Sequence, residues 1–162
     1  MANICQSAQS LVIPRIVFVE YTEEFLALSW AWLNDPEIKA LTMTPDFSRE
    51  AQLNFFRKLP FRPDYKIFGI IVNDEKSGAC GLKNMTNAEA ELWCYLGLKK
   101  YWGMGLGGPI IQHIENESKK LNISKLYLKV TRLNPRAAKA YEKSGFCIDS
   151  EFPEYIQMSK CI

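Results

Sequence analysis

The chain has 162 residues, 48% of them hydrophobic, which suits one substantial core and leaves no room for a second folding unit. Its 20 basic and 18 acidic residues leave a net charge of +2, a field too weak for the strongly basic face that nucleic-acid binding uses. Cys5, Cys80, Cys94, Cys147 and Cys161 are scattered without a C-x-x-C pair, and the chain carries a single histidine, so the pattern predicts reduced thiols and no metal.

Met1 to Pro14 lacks a basic start and a long apolar run, and no apolar stretch reaches membrane-spanning length, so a cytoplasmic protein with no membrane partner is expected. Leu11 to Glu20 is rich in β-branched residues and predicts a first strand. Thr22 with Glu23 and Glu24 opens a helix whose inward face is Phe25, Leu28, Trp32 and Leu33. Asn34-Asp35-Pro36 ends it, because the residue before a proline is pushed out of the helical region. Residues Ile38 to Phe47 read as a polar connection with aromatic punctuation, and Ser48 starts a second helix with Leu53 and Phe56, or Phe55 and Leu59, turned inward.

Tyr65 to Val72 is a strong β run, Asn73 to Gly78 carries hairpin chemistry, and Ala79 to Met85 returns. Thr86-Asn87 turns the chain into Glu89 to Leu98, so antiparallel strands feed the glycine-rich stretch Tyr101-Trp-Gly-Met-Gly-Leu-Gly-Gly108. Leu106, Ile110, Ile111, Ile114 and Leu121 then share a helix face, with Asn122 at its exit. After a strand over Lys125 to Arg132, Asn134 caps a helix with Pro135 at its first position and Gly145 at its end. Phe146 to Asp149 and Tyr155 to Lys160 are the last strands.

A β run, a glycine turn and a helix start together make an anion cradle, since the first amides of a helix lack backbone partners and point at phosphate. Gly103, Gly105 and Gly108 satisfy G-x-G-x-x-G, but no acidic residue closes the next strand to hold a ribose. No Gly-Lys-Ser/Thr follows, which removes the P-loop reading.

The turn, taken with Asn134-Pro-Arg-Ala-Ala-Lys-Ala-Tyr-Glu-Lys-Ser-Gly-Phe146, resembles the Gcn5-related N-acetyltransferase (GNAT) superfamily. In that family an Arg/Gln-x-x-Gly-x-Gly/Ala turn holds the pyrophosphate of acetyl-coenzyme A. Gly105 and Gly107 take the glycine places, while Trp102 stands where most members have Arg or Gln. A Trp there, with Trp32-Leu-Asn-Asp-Pro-Glu-Ile38, is similar to the branch containing ribosomal-protein alanine and sugar-amine acetyltransferases. The resemblance implies a mixed α/β fold, a twisted sheet of six to seven strands flanked by about four helices, with the 38 to 47 loop overhanging the acceptor.

It also implies coenzyme contacts from Leu96, Leu98, Trp102, Gly103, Met104, Gly105, Leu106, Gly107 and Asn134. Near Leu96 a backbone N–H would serve the thioester oxygen, on a strand whose splay Gly97 would ease. Tyr141 matches the tyrosine that protonates the departing thiolate. Glu91, eleven residues before Trp102, has the offset of the strand glutamate of histone-type members. Glu89, two residues earlier, projects to the same face, so both are candidate bases. Lys99, Lys100, Arg136, Lys139 and Lys143 are candidates for the coenzyme phosphates, and His113 reads as a packed or surface imidazole rather than a catalyst. Trp93 and Tyr95 fit either the core or an acceptor pocket.

The expected activity is acetyl transfer from acetyl-coenzyme A to a primary amine of a small molecule, with a nucleotide-linked amino sugar first in order. The alternatives are a protein α-amino acetyltransferase and a non-catalytic coenzyme sensor. The expected partners are the coenzyme and a small amine, in a monomer or homodimer.

Overall fold

The structure is a computed structural model, which describes residues 12–162. Its strands are β1 (Ile16–Glu20), β2 (Lys66–Val72), β3 (Glu75–Lys83), β4 (Glu89–Leu96), β5 (Lys125–Thr131), β6 (Cys147–Glu151) and β7 (Tyr155–Cys161). Its helices are α1 (Glu23–Asn34), α2 (Pro36–Thr42), α3 (Arg49–Lys58), α4 (Gly107–Lys120) and α5 (Pro135–Lys143). The strands form one sheet in the order β1-β2-β3-β4-β5-β7-β6. Every pairing is antiparallel except β4 with β5.

Strand alternation divides the core between the two faces of this sheet. Ile70 and Val72 of β2, with Leu82, Leu92, Leu126 and Leu128, pack against Ile110, Ile111 and Ile114 of α4. Ile67 and Ile71 turn the other way, toward Phe25, Trp32 and Ile38. Gly69 lets α1 come this close, because a Cβ there would lie 2.4 Å from the Phe25 ring.

The feature that makes a site is a fork. The β4–β5 ladder covers Glu89, Ala90 and Glu91 against Lys125, Leu126 and Tyr127, and no further. Beyond that register β4 runs on to Leu96 beside β3 alone, and the two parallel strands part.

Several expectations are corrected. The first strand begins at Ile16, past Pro14, which has no N–H to give a ladder; Leu11 and Cys5 lie outside the described residues. On α1 it is Leu26 and Ser29, not Leu28, that join Phe25 and Trp32 inside, so the buried stripe is rotated from the expected one. Residues 38 to 42 are helical, because Asp35 accepts from the amides of Glu37 and Ile38 and so caps α2, with Pro36 at the first position. Leu53 of α3 is exposed, and Phe55, Phe56 and Leu59 carry its packing. The β2–β3 turn is only Asn73-Asp74, both left-handed as a type I′ hairpin requires, so Glu75 to Gly78 belong to β3. Leu121 is exposed at the C-cap of α4, and Ile123 after it fills the core place. The helices number five among the described residues, against about four expected.

Candidate active site

The glycine turn lies just past the mouth of the fork. After a 3₁₀ turn at Lys99–Tyr101, Gly103 and Gly105 take φ values of 72° and 78°, a region that costs other residues about 1–2 kcal/mol. A Cβ at either glycine would meet nothing within 4 Å, so the outer side of the turn is open. The amides of Gly105 and Leu106 find no backbone acceptor among the described residues. Those of Gly107 and Gly108 begin α4, where helix geometry offers no partner and Leu106 supplies no side-chain cap. Such a cluster of free donors at the positive end of a helix fits a diphosphate. Gly107 also serves the packing of two helices, since its Cβ would stand 3.1 Å from Ala140 and its absence lets α5 approach α4.

The turn opens into a cleft of about 1640 Å³. Of the residues expected at the coenzyme, Leu96, Trp102, Gly103, Gly105, Leu106, Gly107, Asn134 and Tyr141 line it. Met104 is exposed and Leu98 packs toward both cores, and neither lines the cleft. At the end of β4 the Gly97 amide donates to the Ser77 carbonyl over 2.7 Å, on the β3 side. Strand alternation therefore aims the Leu96 N–H and C=O to the other side, into the fork. Gly97 is required by packing: a Cβ there would stand 2.1 Å from the Trp32 ring.

Asn134 caps α5 by accepting from the Ala137 amide at 3.1 Å, which occupies its oxygen and leaves its NH₂. Further along the same helix, Tyr141 is buried edge-on to Phe146 and lines the cleft. Its hydroxyl lies 3.5 Å from Cys94 Sγ. Burial, helped by the neighbouring thiol, pushes this phenol well above its ordinary pKa, so it holds its proton at neutral pH. Burial likewise raises the Cys94 thiol, with the Tyr141 contact opposing.

On the other wing of the cleft, Glu91 is buried and held at both carboxylate oxygens. Lys83 Nζ stands 3.3 Å from one and Asn84 Nδ2 donates to the other over 2.9 Å. Glu89 is placed differently: it faces Lys125 at 3.7 Å across the β4–β5 ladder and is not part of the cleft lining. Tyr21, Phe47, Phe55, Tyr65, Trp93 and Tyr95 form an aromatic wall. Behind it Ser29 donates to the Phe25 carbonyl, so the hydroxyls of Tyr21 and Tyr95, 2.7 and 2.8 Å away, both donate to Ser29. The two phenol oxygens are thereby left as acceptors.

The candidate phosphate cations divide. Lys99 is held by Asp35 and Glu37 at 2.9 and 2.8 Å, and Lys100 by Glu75, whereas Arg136, Lys139 and Lys143 line the cleft. His113 is stacked on Phe18 and edge-on to Phe68, away from the cleft, and desolvation holds its pKa below the usual value. Sequence reasoning missed Cys94, Asn84, Lys83, Ser29, Tyr21 and Tyr65. None of them was marked by local sequence, because they meet only through the sheet.

A profile of the acetyltransferase (GNAT) family matches residues 19–146. Acetyltransferase PseH of Campylobacter jejuni is 27% identical over 139 residues, covering 85% of this chain and 87% of that protein. The solved structure of Campylobacter jejuni N-acetyltransferase PseH with acetyl coenzyme A shares the fold with a TM-score of 0.70 and 20% identity, over 91% of this chain and 99% of that one. Spermidine N-acetyltransferase from Vibrio cholerae, solved with CoA and spermine, superposes with a TM-score of 0.78 at 17% identity, over 90% and 95% of the two chains.

Proposed function

The chain belongs to the acetyltransferase (GNAT) family, and we propose that it acetylates the primary amine of a small molecule that also carries negative charge, a nucleotide-linked amino sugar being the class that fits. Acetyl-coenzyme A, the donor, supplies the acetyl group as a thioester open to attack by an amine. The free amides of Gly105, Leu106 and Gly107 would hold its diphosphate, with Asn134, Arg136, Lys139 and Lys143 around it. The Leu96 N–H, aimed into the fork, would stabilise charge on the carbonyl oxygen, the largest single contribution in most acyl transfers. Glu91 would take the proton of the incoming ammonium, directly or through one water, since Lys83 and Asn84 fix its carboxylate in the cleft. As the C–S bond breaks, Tyr141 would give its hydroxyl proton to the departing sulfur, and the second proton shed by the nitrogen would restore the phenol.

The observation that carries the choice of acceptor is the charge of the lining. With Arg136, Lys139 and Lys143 given to the coenzyme phosphates, Lys83 and Lys129 remain against Glu91 and Glu142, so the acceptor side carries no excess of acid. A polyamine such as the spermine bound to the Vibrio cholerae enzyme needs such an excess. An aromatic wall with one carboxylate and two phenol oxygens suits a single ammonium on a ring, next to a distal anion.

Release of free thiol from acetyl-coenzyme A should be followed with nucleotide-linked amino sugars, free amino sugars, spermidine and a peptide with a free N-terminus. Turnover is expected with the first class, with weaker activity on the uncharged sugars. Preference for spermidine overturns the reading. Turnover with the peptide alone replaces it by α-amino acetylation of proteins, and binding of the coenzyme without any product replaces it by a sensor.

A further inference from the structure

We propose that Trp102 is a positioning residue that sets the distance between the diphosphate cradle and the backbone donor of β4, an inference that rests on the acetyltransferase reading above. Its indole N–H donates to the Leu96 carbonyl over 2.9 Å. That carbonyl belongs to the same peptide unit as the Gly97 amide, which donates to Ser77 at 2.7 Å on the opposite side. The unit is therefore clamped at both ends, by β3 on one flank and by the indole on the flank where β5 has turned away.

Beyond Glu91 the β5 side of β4 has no ladder partner, so a strand end bearing a donor would be held by one edge alone. Trp102 supplies a bond on the open edge, and it does so from the residue immediately before Gly103, where the left-handed turn begins. Its own backbone is fixed by the bond from its amide to the Lys99 carbonyl at 3.0 Å. Lys99 Nζ and the Arg136 guanidinium lie 5.7 and 5.9 Å from the ring, so the indole also meets the first turn of α5. One side chain thus joins the grip on the diphosphate, the start of the helix that carries Tyr141, and the strand end whose N–H faces the fork. A displacement of about 1 Å between such parts costs on the order of a hundredfold in rate.

Trp102→Phe keeps a ring in place and removes only the donor; Trp102→Gln restores a donor without the ring. With the phenylalanine variant we expect kcat to fall about tenfold, while KM for acetyl-coenzyme A and Kd for coenzyme A change less than twofold. Amide exchange of the 92–98 segment should quicken at least tenfold in the same variant. Trp102→Gln should recover part of both losses. Unchanged kcat and exchange in Trp102→Phe, or a loss that resides wholly in coenzyme affinity, overturns the proposal. The exchange readout needs no acceptor, so wild-type protein that turns over no amine would sink the acetyltransferase reading while this measurement still decides on the clamp.

Discussion

Tyr141 shows how a residue's place changes its chemistry. Exposed, a phenol ionises near pH 10; buried in the cleft with Cys94 at 3.5 Å, it is pushed well above that. The phenol therefore keeps its proton across the whole neutral range, and if it is the proposed donor its ionisation should add no fall in rate up to at least about pH 9. Tyr141→Phe should lower kcat by roughly a hundredfold, the low end for removal of a general acid, with coenzyme Kd within twofold by calorimetry. Equal loss of kcat and of coenzyme affinity would instead make Tyr141 a packing residue. His113 carries the opposite sign. Desolvation between Phe18 and Phe68 lowers its pKa from 6.5, so the unfolded chain binds a proton that the folded one resists. The stability it leaves intact at pH 7 should decline as pH drops from about 6.5 toward the lower folded pKa. As the sole histidine, its replacement by leucine should flatten the melting temperature between pH 7 and about 5.5, and an unchanged slope would count against this account. Tyr141 was marked in the sequence by its motif, whereas for His113 the sequence left a packed and a surface place open, and Phe18 and Phe68, distant in the chain, decide it. The Ser29 hydroxyl bridging Tyr21 and Tyr95 was not legible, because 66 residues separate Ser29 from Tyr95 and nothing local marks the meeting.

Among the elements, β4 carries most of the burden. Its first three residues pair with β5, and its last five pair with β3 alone and expose an edge to the cleft. The sequence predicted the strand, though running through Gly97 to Leu98 where β4 ends at Leu96, and the family resemblance implied the splay. Gly97 also has a packing reason, because Trp32 of α1 lies on it, and the β4–β5 ladder stops at Glu91 and Tyr127. Helix starts were readable at the caps Ser48 and Asn134, whereas Asp35, read only as part of the stop of α1, also caps α2. Helix faces were less so, since Leu28 and Leu26 are equally apolar and only the sheet beneath decides between them. Gly97→Ala places a methyl group against the Trp32 ring at 2.1 Å and should cost about 1–3 kcal/mol, the usual penalty for overpacking. Urea unfolding measures it, and a neutral result would mean that Trp32 can move aside. Trp32→Leu combined with Gly97→Ala should then lose less than the sum of the two, because the pair is in contact.

At the scale of the molecule, the sheet is two antiparallel halves, β1 to β4 and β5 to β7, joined by one three-residue parallel ladder. The cleft occupies the gap where they part, and its lining takes Leu92 to Leu96 from one half and Lys129 and Val130 from the other. A ligand seated there touches both halves, so its binding energy should appear as resistance of the fork to opening. At a concentration one hundred times its Kd, coenzyme A should stabilise the fold by about 2.7 kcal/mol, which for a chain of this size raises the melting temperature by roughly 5–10 °C. Hydrogen exchange locates the effect: protection should concentrate at the parted ends of β4 and β5, with little change at the Asn73-Asp74 turn between β2 and β3, which is not part of the cleft lining. Stabilisation spread evenly over the sheet would show that the coenzyme acts away from the fork. Protection at the glycine turn without any at β5 would confine it to the phosphate grip, leaving the acyl end outside the gap between the strands.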